Sequence, residues 1–431
     1  MSKFVKRIRP LYHGTLAWFG HWWYGHPSSD MWVIGITGTK GKSTITYLTY
    51  QMFHRLGIRT GMSSSVYMSN GKAPYPNPFG NSMPGRMRLH RLMKEAKHTG
   101  CTTFIMEVTS EGLTQNRHLG IAFDGAICSN LHPEHLEAHG GFESYKKAKG
   151  QLFESLDQST PKTIYGKTLP NREILNQDDD HWEYFARIGS QKTATIGLSD
   201  TADIYATDIQ LSPSRTQFQV HFTDDDSTYA VTIPLIGTFN VYNVLFVIAL
   251  CDWFGCDREQ VAHSLAYVDN IPGRMQVIYQ NPTIIVDYAH TSEALEQVYT
   301  TMRQVMPSES KIIGVLGSAG GGRDTWKRKP MGEIAGKHTD YSIVTDEDPY
   351  DEDPQKIIDE VFQGVITSHK EEGTNAFRML SRRQAFQKAL SLASDNDVII
   401  ITGKGSEHEI HRAGGTIEPW NDREEMLSLV K

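Results

Sequence analysis

Hydrophobic and polar positions follow two different textures along this chain. In the first, short apolar runs end in polar residues and lead into helix-period sequence. Met31-Trp-Val-Ile-Gly-Ile precedes a glycine-rich turn and a helical pattern from Lys42 through about Leu56, and Thr103-Phe-Ile-Met-Glu and Gly125-Ala-Ile-Cys-Ser-Asn repeat the apolar run. Buried runs of this kind, separated by helix-prone sequence, predict a parallel sheet with crossover helices. In the second texture apolar and polar residues alternate singly, in Ala206-Thr-Asp-Ile-Gln-Leu, Gln217-Phe-Gln-Val-His-Phe and Tyr229-Ala-Val-Thr-Ile-Pro-Leu. That predicts half-exposed antiparallel strands forming a subsheet packed beside the parallel one. Asn240 to Phe254 then reads as a helix.

Ile271-Pro-Gly-Arg-Met punctuates the chain, and strand–helix alternation restarts beyond it. Thr283-Ile-Ile-Val-Asp, Lys311-Ile-Ile-Gly-Val-Leu-Gly, Tyr341-Ser-Ile-Val-Thr and Val398-Ile-Ile-Ile-Thr-Gly predict a second, Rossmann-like α/β domain. The expected organisation is an aromatic and basic segment over residues 1–30, a central α/β domain over 31–271 and a C-terminal domain over 272–431. A length of 431 residues suits two or three cores.

Charge narrows the function classes. Lys plus Arg is 43 against 50 for Asp plus Glu, a net charge of −7, which disfavours non-specific nucleic-acid binding. Cys101, Cys128, Cys251 and Cys256 form no CxxC pair and no metal-like spacing, so reduced thiols in a cytoplasmic protein are expected. The longest apolar stretch, Val244 to Cys251, is too short to span a bilayer.

The first 29 residues carry Lys3, Lys6, Arg7 and Arg9, then Leu16, Trp18, Phe19, Trp22, Trp23 and Tyr24, without a signal-peptide pattern. Phe4, Ile8, Leu11 and Tyr12 recur at helical spacing. Two readings stand: a helix packing its aromatics on the body of the protein or on a partner, favoured here, or an interfacial membrane helix.

Candidate chemistry lies at the strand ends. In Gly38-Thr39-Lys40-Gly41-Lys42-Ser43-Thr44, glycines let backbone N–H groups converge on phosphate, Lys42 offers a point charge and Ser43 can ligate Mg²⁺. Glu107 ends one strand, and His135, in Asn130-Leu-His-Pro-Glu-His, follows the next. Two such groups facing a phosphate loop are candidates for a hard cation, although each histidine alone reads as an ordinary loop residue. Lys149 is indistinguishable by charge pattern from Lys146 and Lys147. In the second half, Asp287-Tyr-Ala-His290 follows a strand, and Gly317-Ser-Ala-Gly-Gly-Gly-Arg323 delivers a guanidinium suited to carboxylate or phosphate. The acidic run from Asp346 follows a third strand. Such a run is usually a solvated loop, but this position makes it a candidate for binding a cation.

The order of these motifs resembles the Mur ligase family, MurE type, from about Val33 past Lys404. Val33-Ile-Gly-Ile-Thr-Gly-Thr-Lys-Gly-Lys-Ser resembles its phosphate loop, and Met106-Glu-Val-Thr-Ser-Glu-Gly-Leu and Asn130-Leu-His-Pro-Glu-His resemble segments that follow. Pro234-Leu-Ile-Gly-Thr-Phe-Asn-Val-Tyr-Asn, Gly273-Arg-Met, Val286-Asp-Tyr-Ala-His, Gly322-Arg-Asp and Gly403-Lys-Gly-Ser-Glu appear in family order.

The resemblance implies an ATP-dependent amide ligase of peptidoglycan biosynthesis, in which a carboxylate is activated as an acyl phosphate and joined to an amino acid. It implies that Lys42 and Ser43 hold the ATP phosphates and Mg²⁺, with Glu107 and His135 as metal ligands. Lys149 matches a lysine carried as a carbamate, able to hold a second Mg²⁺. Asn243, Arg274 and Asp287 would contact the nucleotide and His290 its phosphate region, while Ser110 and Arg117 would position the peptide acceptor.

Three departures modify this. Only about thirty residues precede the phosphate loop, so the domain that grips UDP in the family is expected to be absent. Either the aromatic and basic segment replaces it, or the acceptor is not UDP-linked; a lipid-linked precursor at the membrane would suit the segment. Where diaminopimelate-adding members carry Asp-Asn-Pro-Arg, this chain has Glu347-Asp348-Pro349-Tyr350. Tyr350 cannot pair with a carboxylate as arginine does and Asp348 suits an ammonium, so a cationic amino acid such as lysine or ornithine is expected. Gly403 and Glu407 fall in the same pocket motif, with Ser406 replacing the family histidine. A folate- or capsule-type polyglutamate ligase and a non-catalytic nucleotide-binding subunit are the alternatives.

Overall fold

A computed structural model of the chain describes residues 3–133, 139–189, 192–322 and 324–430, with side chains from Arg9 onward. His135 and Arg323 lie outside the described residues. Two compact units are present: Met1–Gln210 with Thr216–Asp269, and Leu211–Arg215 with Asn270–Lys431.

The first unit is built on one eleven-stranded sheet. Its parallel part runs in the order Ile204–Leu211, Lys192–Gly197, Arg172–Asn176, Gly125–Cys128, Trp32–Thr37, Thr103–Glu107 and Thr60–Ser63. Trp32–Thr37 and Thr103–Glu107 are buried at every residue, as strands covered on both faces must be. The helix Lys42–Arg55 packs against Thr238–Trp253, which is apolar on all sides and almost wholly buried. Across the sheet, Phe104, Met106, Phe123, Leu152 and Phe153 belong to one core.

The antiparallel strands are arranged differently from the expectation. Ile204–Leu211, expected to be antiparallel, pairs in parallel with Lys192–Gly197, and Thr216–Phe222 and Thr228–Ile233, antiparallel to each other, extend the same sheet beyond it. Continuing the ladder supplies partners to the peptide groups of Lys192–Gly197, which would otherwise form a bare edge.

The helix Lys3–Trp23 packs on the first unit, but not through its aromatics. Gly14, Ala17 and Gly20 are buried, whereas Leu11, Tyr12, Trp18, Phe19, Trp22 and Trp23 face outward. The expectation of aromatic packing on the body is therefore corrected. Small residues allow the close backbone approach, and the large ones are displaced to the far face.

The second unit carries a six-stranded sheet ordered Gln276–Tyr279, Thr283–Val286, Val398–Ile401, Ile312–Leu316, Tyr341–Thr345 and Ala376–Met379. All pairs are parallel except the first. The four strands expected from sequence form its interior, with two short edge strands added. Ile284, Val315, Ile343, Ile399 and Phe386 share its core.

One ion pair fixes the strand ends of this unit. Arg382 and Asp422, with side chains 1% and 0% exposed, form a two-pronged pair at 2.7 and 2.6 Å. The same guanidinium donates to Asp346 O (3.1 Å) and Thr402 O (2.9 Å), tying two strand ends to the helix Asp422–Leu429. Removing one partner strands a buried charge. Arg382→Ala is expected to destabilise the second unit by about 3–5 kcal/mol in urea titration, and a loss near zero would show that the clamp is dispensable.

Candidate active site

In the first unit three neighbouring strands deliver their C-terminal ends to one place. Register sets this: Ile36 lies opposite Glu107, and Thr37 opposite Cys128. The loop Gly38–Gly41, Glu107 and the pair Ser129–Asn130 therefore leave the sheet side by side.

Ser129 and Asn130 hook the loop. Ser129 Oγ donates to Lys40 O (2.6 Å), Asn130 Oδ1 accepts from Lys40 N (2.8 Å), and Asn130 O accepts from Thr39 N (2.9 Å). Thr39 Oγ1 accepts from His132 N at 2.9 Å and lies 3.2 Å from the Tyr145 hydroxyl. Gly38 has φ +136°, and a Cβ there would stand 1.9 Å from Ser129 Oγ. Glycine alone meets both conditions.

The loop feeds the helix Lys42–Arg55, whose first-turn N–H groups have no carbonyl one turn back and whose dipole is positive at this end. That is an anion cradle. Lys42 Nζ lies over it, donating to Gly38 O (3.0 Å) and Thr39 O (2.8 Å). Thr44 is buried in the same turn. Ser43 Oγ sits 2.9 Å from Ser65 Oγ, while Ser65 N donates to Glu107 Oε1 at 2.7 Å. Ser65 thus draws a hydroxyl and a buried carboxylate to one point beside the cradle. Magnesium takes one or two such oxygens and fills its octahedron from phosphate and water, so this donor set fits a magnesium–nucleotide complex. Among the described residues no group of three or more His, Cys, Asp or Glu is gathered as a metal cage.

On the other side of the loop stands Lys149, from the helix Phe142–Asp157. It is buried where Lys146 is half-buried and Lys147 exposed. Its Nζ donates to Gly38 O (2.6 Å) and lies 4.6 Å from the centre of the Tyr145 ring. Asn243 donates to Asn240 Oδ1 (3.0 Å), and its own Oδ1 lies against Gly41. Further along this unit, Ser110 Oγ is 3.0 Å from His139 Nε2. The Arg117 guanidinium donates to Gln115 Oε1 (3.0 and 2.7 Å) and Met83 O (2.8 Å).

The second unit gathers a different set. Asp287 accepts from Met275 N (2.6 Å) and Ala289 N (2.7 Å), which shapes the loop that carries Arg274. Arg274 stacks over Tyr288, 4.4 Å from the ring centre, and His290 Nδ1 lies 3.0 Å from Tyr288 O.

Beyond the strand Tyr341–Thr345, two carboxylates share one lysine. Lys404 Nζ donates to both oxygens of Asp348 at 2.9 Å and pairs with Glu407 at 2.6 Å. Asp348 also accepts from His411 N at 2.8 Å. Asp348 and Glu407 are thus both paired with Lys404. The neighbouring Glu347 is different. Its Oε2 is buried with no hydrogen-bond partner, lying against Gly403, where a Cβ would come within 2.3 Å. Burial pushes the Glu347 carboxyl up to about 7 and raises that of Glu407, the latter moderated by Lys404. Tyr350, at φ +51°, stacks on His411 with ring centres 5.1 Å apart.

Comparison with known proteins settles the family. A model of the Mur ligase middle domain matches residues 36–251, and one described as Mur ligase, glutamate ligase domain matches residues 273–405. The UDP-N-acetylmuramoyl-L-alanyl-D-glutamate--2,6-diaminopimelate ligase of Geobacillus kaustophilus (strain HTA426) is 34% identical over 411 residues, spanning 95% of this chain and 80% of that protein. Its counterpart from Alkaliphilus oremlandii (strain OhILAs) is 33% identical over 414 residues, with the same shares. The chain belongs to the Mur ligase family. A solved structure of a ligase of the same name matches with a TM-score of 0.66 and 26% identity, covering 98% of this chain and 82% of that one.

This Mur ligase is accordingly an ATP-dependent, ADP-forming amide ligase. Of the residues singled out in its sequence, Gly38 to Thr44, Glu107, Lys149 and Asn243 meet in the first unit. Arg274, Asp287 and His290 form one group in the second, and Asp348, Gly403 and Glu407 another. Sequence reasoning missed Ser65, Lys404 and the distinct state of Glu347. Ser65 closes the run Ser63-Ser64-Ser65 at a strand end, a signal that was available; the Lys404–Asp348 pair spans 56 positions and left none.

The strain argument at the loop can be tested. Gly38→Ala is expected to weaken ATP binding about tenfold or more in calorimetric titration, and adding Ser129→Gly should restore little, because the backbone angle remains. Parent-like affinity of Gly38→Ala would show that the hooked loop is not needed.

Proposed function

We propose that this Mur ligase adds a cationic amino acid, such as lysine or ornithine, to a peptidoglycan-precursor peptide ending in D-glutamate, in the cytoplasm. The observation that carries the choice of amino acid is an excess of carboxylate: Asp348 and Glu407 share Lys404, and the adjacent buried Glu347 has an Oε2 with no hydrogen-bond partner among the described residues. An incoming ammonium offsets this excess, whereas the second carboxylate of diaminopimelate adds to it. Tyr350 supplies no cation to receive that carboxylate. The relatives' names specify the muramyl-dipeptide acceptor, and they also specify diaminopimelate, from which this pocket departs.

Residues 31–271 take the ATP-binding role and 272–431 the amino-acid-binding role. Bound with magnesium, ATP supplies the γ-phosphoryl group, and the metal spreads its developing charge. The first-turn amides of the helix Lys42–Arg55 and Lys42 hold the phosphates, while Ser43, Glu107 and His135 supply the metal ligands. Asn243, Arg274, Asp287 and His290 orient the nucleotide. Ser110 and Arg117 align the acceptor carboxylate, whose oxygen attacks the γ-phosphorus as ADP leaves. The donor amino acid, its side-chain ammonium held by Glu347 and Glu407, then attacks the acyl carbon through its α-amino nitrogen, which gives up a proton as the amide forms and inorganic phosphate departs. Lys149 acts as a carbamate, a reading supported by its burial against the phosphate loop.

Phosphate release measured with a panel of amino acids should favour lysine or ornithine; diaminopimelate as the best substrate would overturn the proposed specificity. Lys149→Ala should lose about a hundredfold or more in turnover and be partly rescued by short-chain carboxylic acids, while a wild-type rate would remove the carbamate. Ionised Glu347 favours the ammonium, and its carboxyl is raised to about 7, so the KM for the cationic donor should fall as pH rises through 7. Glu347→Gln should flatten that profile; an unchanged profile would take Glu347 out of donor binding.

A further inference from the structure

The helix Lys3–Trp23 has two unlike faces. A Cβ on Gly14 would come within 3.2 Å of Asn116, and one on Gly20 within 3.0 Å of Met87, so this face is closed against the body of the first unit. The opposite face holds Leu11, Tyr12, Trp18, Phe19, Trp22 and Trp23, which are 45–70% exposed. Phe19 stacks on Trp23 with ring centres 5.6 Å apart, so the rings form a continuous patch. Scattered exposed apolar residues need no explanation; six on one helix do.

Charge identifies the occupant. The helix contains no Asp or Glu, and its sequence carries Lys3, Lys6, Arg7 and Arg9, while the chain as a whole is at −7. Arg9 is exposed. Basic residues at one end and Trp, Tyr and Phe along the outward face match the two layers of a lipid interface: anionic headgroups, then the boundary where aromatic rings partition. A protein partner would account for the aromatics but not for a helix devoid of acid on an acidic molecule. No described helix is long and apolar enough to cross a membrane, so the helix would lie on the surface.

We propose that the helix Lys3–Trp23 docks this ligase on an anionic lipid bilayer, its basic end on the headgroups and its aromatic face in the interfacial layer. Through its closed face the helix lies against Asn116 and Leu119, which flank Arg117, so the helix that docks adjoins the segment assigned to the acceptor. Docking goes beyond the ligase reading and is measured without turnover, so failure of one leaves the other standing.

The test is co-sedimentation of the full chain with vesicles of phosphatidylcholine alone and with phosphatidylglycerol added. Binding is expected on the anionic vesicles, weaker on the neutral ones, and reduced by salt. Trp18→Ser with Trp22→Ser and Trp23→Ser, and separately Lys6→Glu with Arg7→Glu and Arg9→Glu, should each lower binding about tenfold or more, since each basic residue near such a surface contributes several-fold. Thermal unfolding of the tryptophan variant should match the parent, because those rings are already in water. No binding of the parent chain to anionic vesicles would overturn the proposal, as would binding that neither variant alters. A dimer in solution that the tryptophan variant dissolves, without vesicle binding, would assign the patch to self-association instead and likewise overturn it.

Discussion

The first unit depends on a backbone constraint: the chain between Thr37 and Lys42 must turn sharply while its amides stay pointed at one spot. Ser129 and Asn130 impose this from some ninety residues away, by taking both the N–H and the C=O of Lys40. The parallel sheet makes the arrangement possible. Its strands all end on one side, so register alone sets the loop beside Glu107 and Ser129. Once the loop is held, the helix Lys42–Arg55 starts where its dipole and first-turn amides can meet phosphate. Lys42, Ser43 and Lys149 then need only reach inward from elements already in place.

The second unit solves a different electrostatic problem. Carboxylates gathered beyond the strand Tyr341–Thr345 would repel one another in a buried setting, and Lys404 holds two of them. Glu347 is left with an unpartnered oxygen and a carboxyl that takes up a proton near neutral pH. The proposed cationic donor rests on this surplus of acid and on the one oxygen without a hydrogen-bond partner. The arginine of diaminopimelate-adding members would instead supply a positive group for a negative one.

Much of this was legible beforehand. Buried strands between helices announce themselves by apolar runs, and the glycine-rich turn after Ile36 identified the cradle. The acidic run after the strand Tyr341–Thr345 was visible in sequence, but the partner of each carboxylate was not, because that depends on which cation folding brings to it. Asp348 and Lys404 meet only in three dimensions. The antiparallel strands were recognised by alternation, but whether they join a sheet edge or stack on its face is not encoded in their own residues. At the N-terminus the aromatics drew the eye, while Gly14, Ala17 and Gly20, which make the packing contact, carry no side chain large enough to signal it.

The Arg382–Asp422 clamp has a bearing beyond stability. Arg382 holds the carbonyl of Asp346, the residue next to Glu347, and is itself held by the first residue of the helix Asp422–Leu429. The backbone that carries Glu347, proposed to receive the donor, is therefore anchored by Asp422, far along the chain. Changes there would register as altered choice of amino acid, even though no atom of that helix is assigned to the substrate.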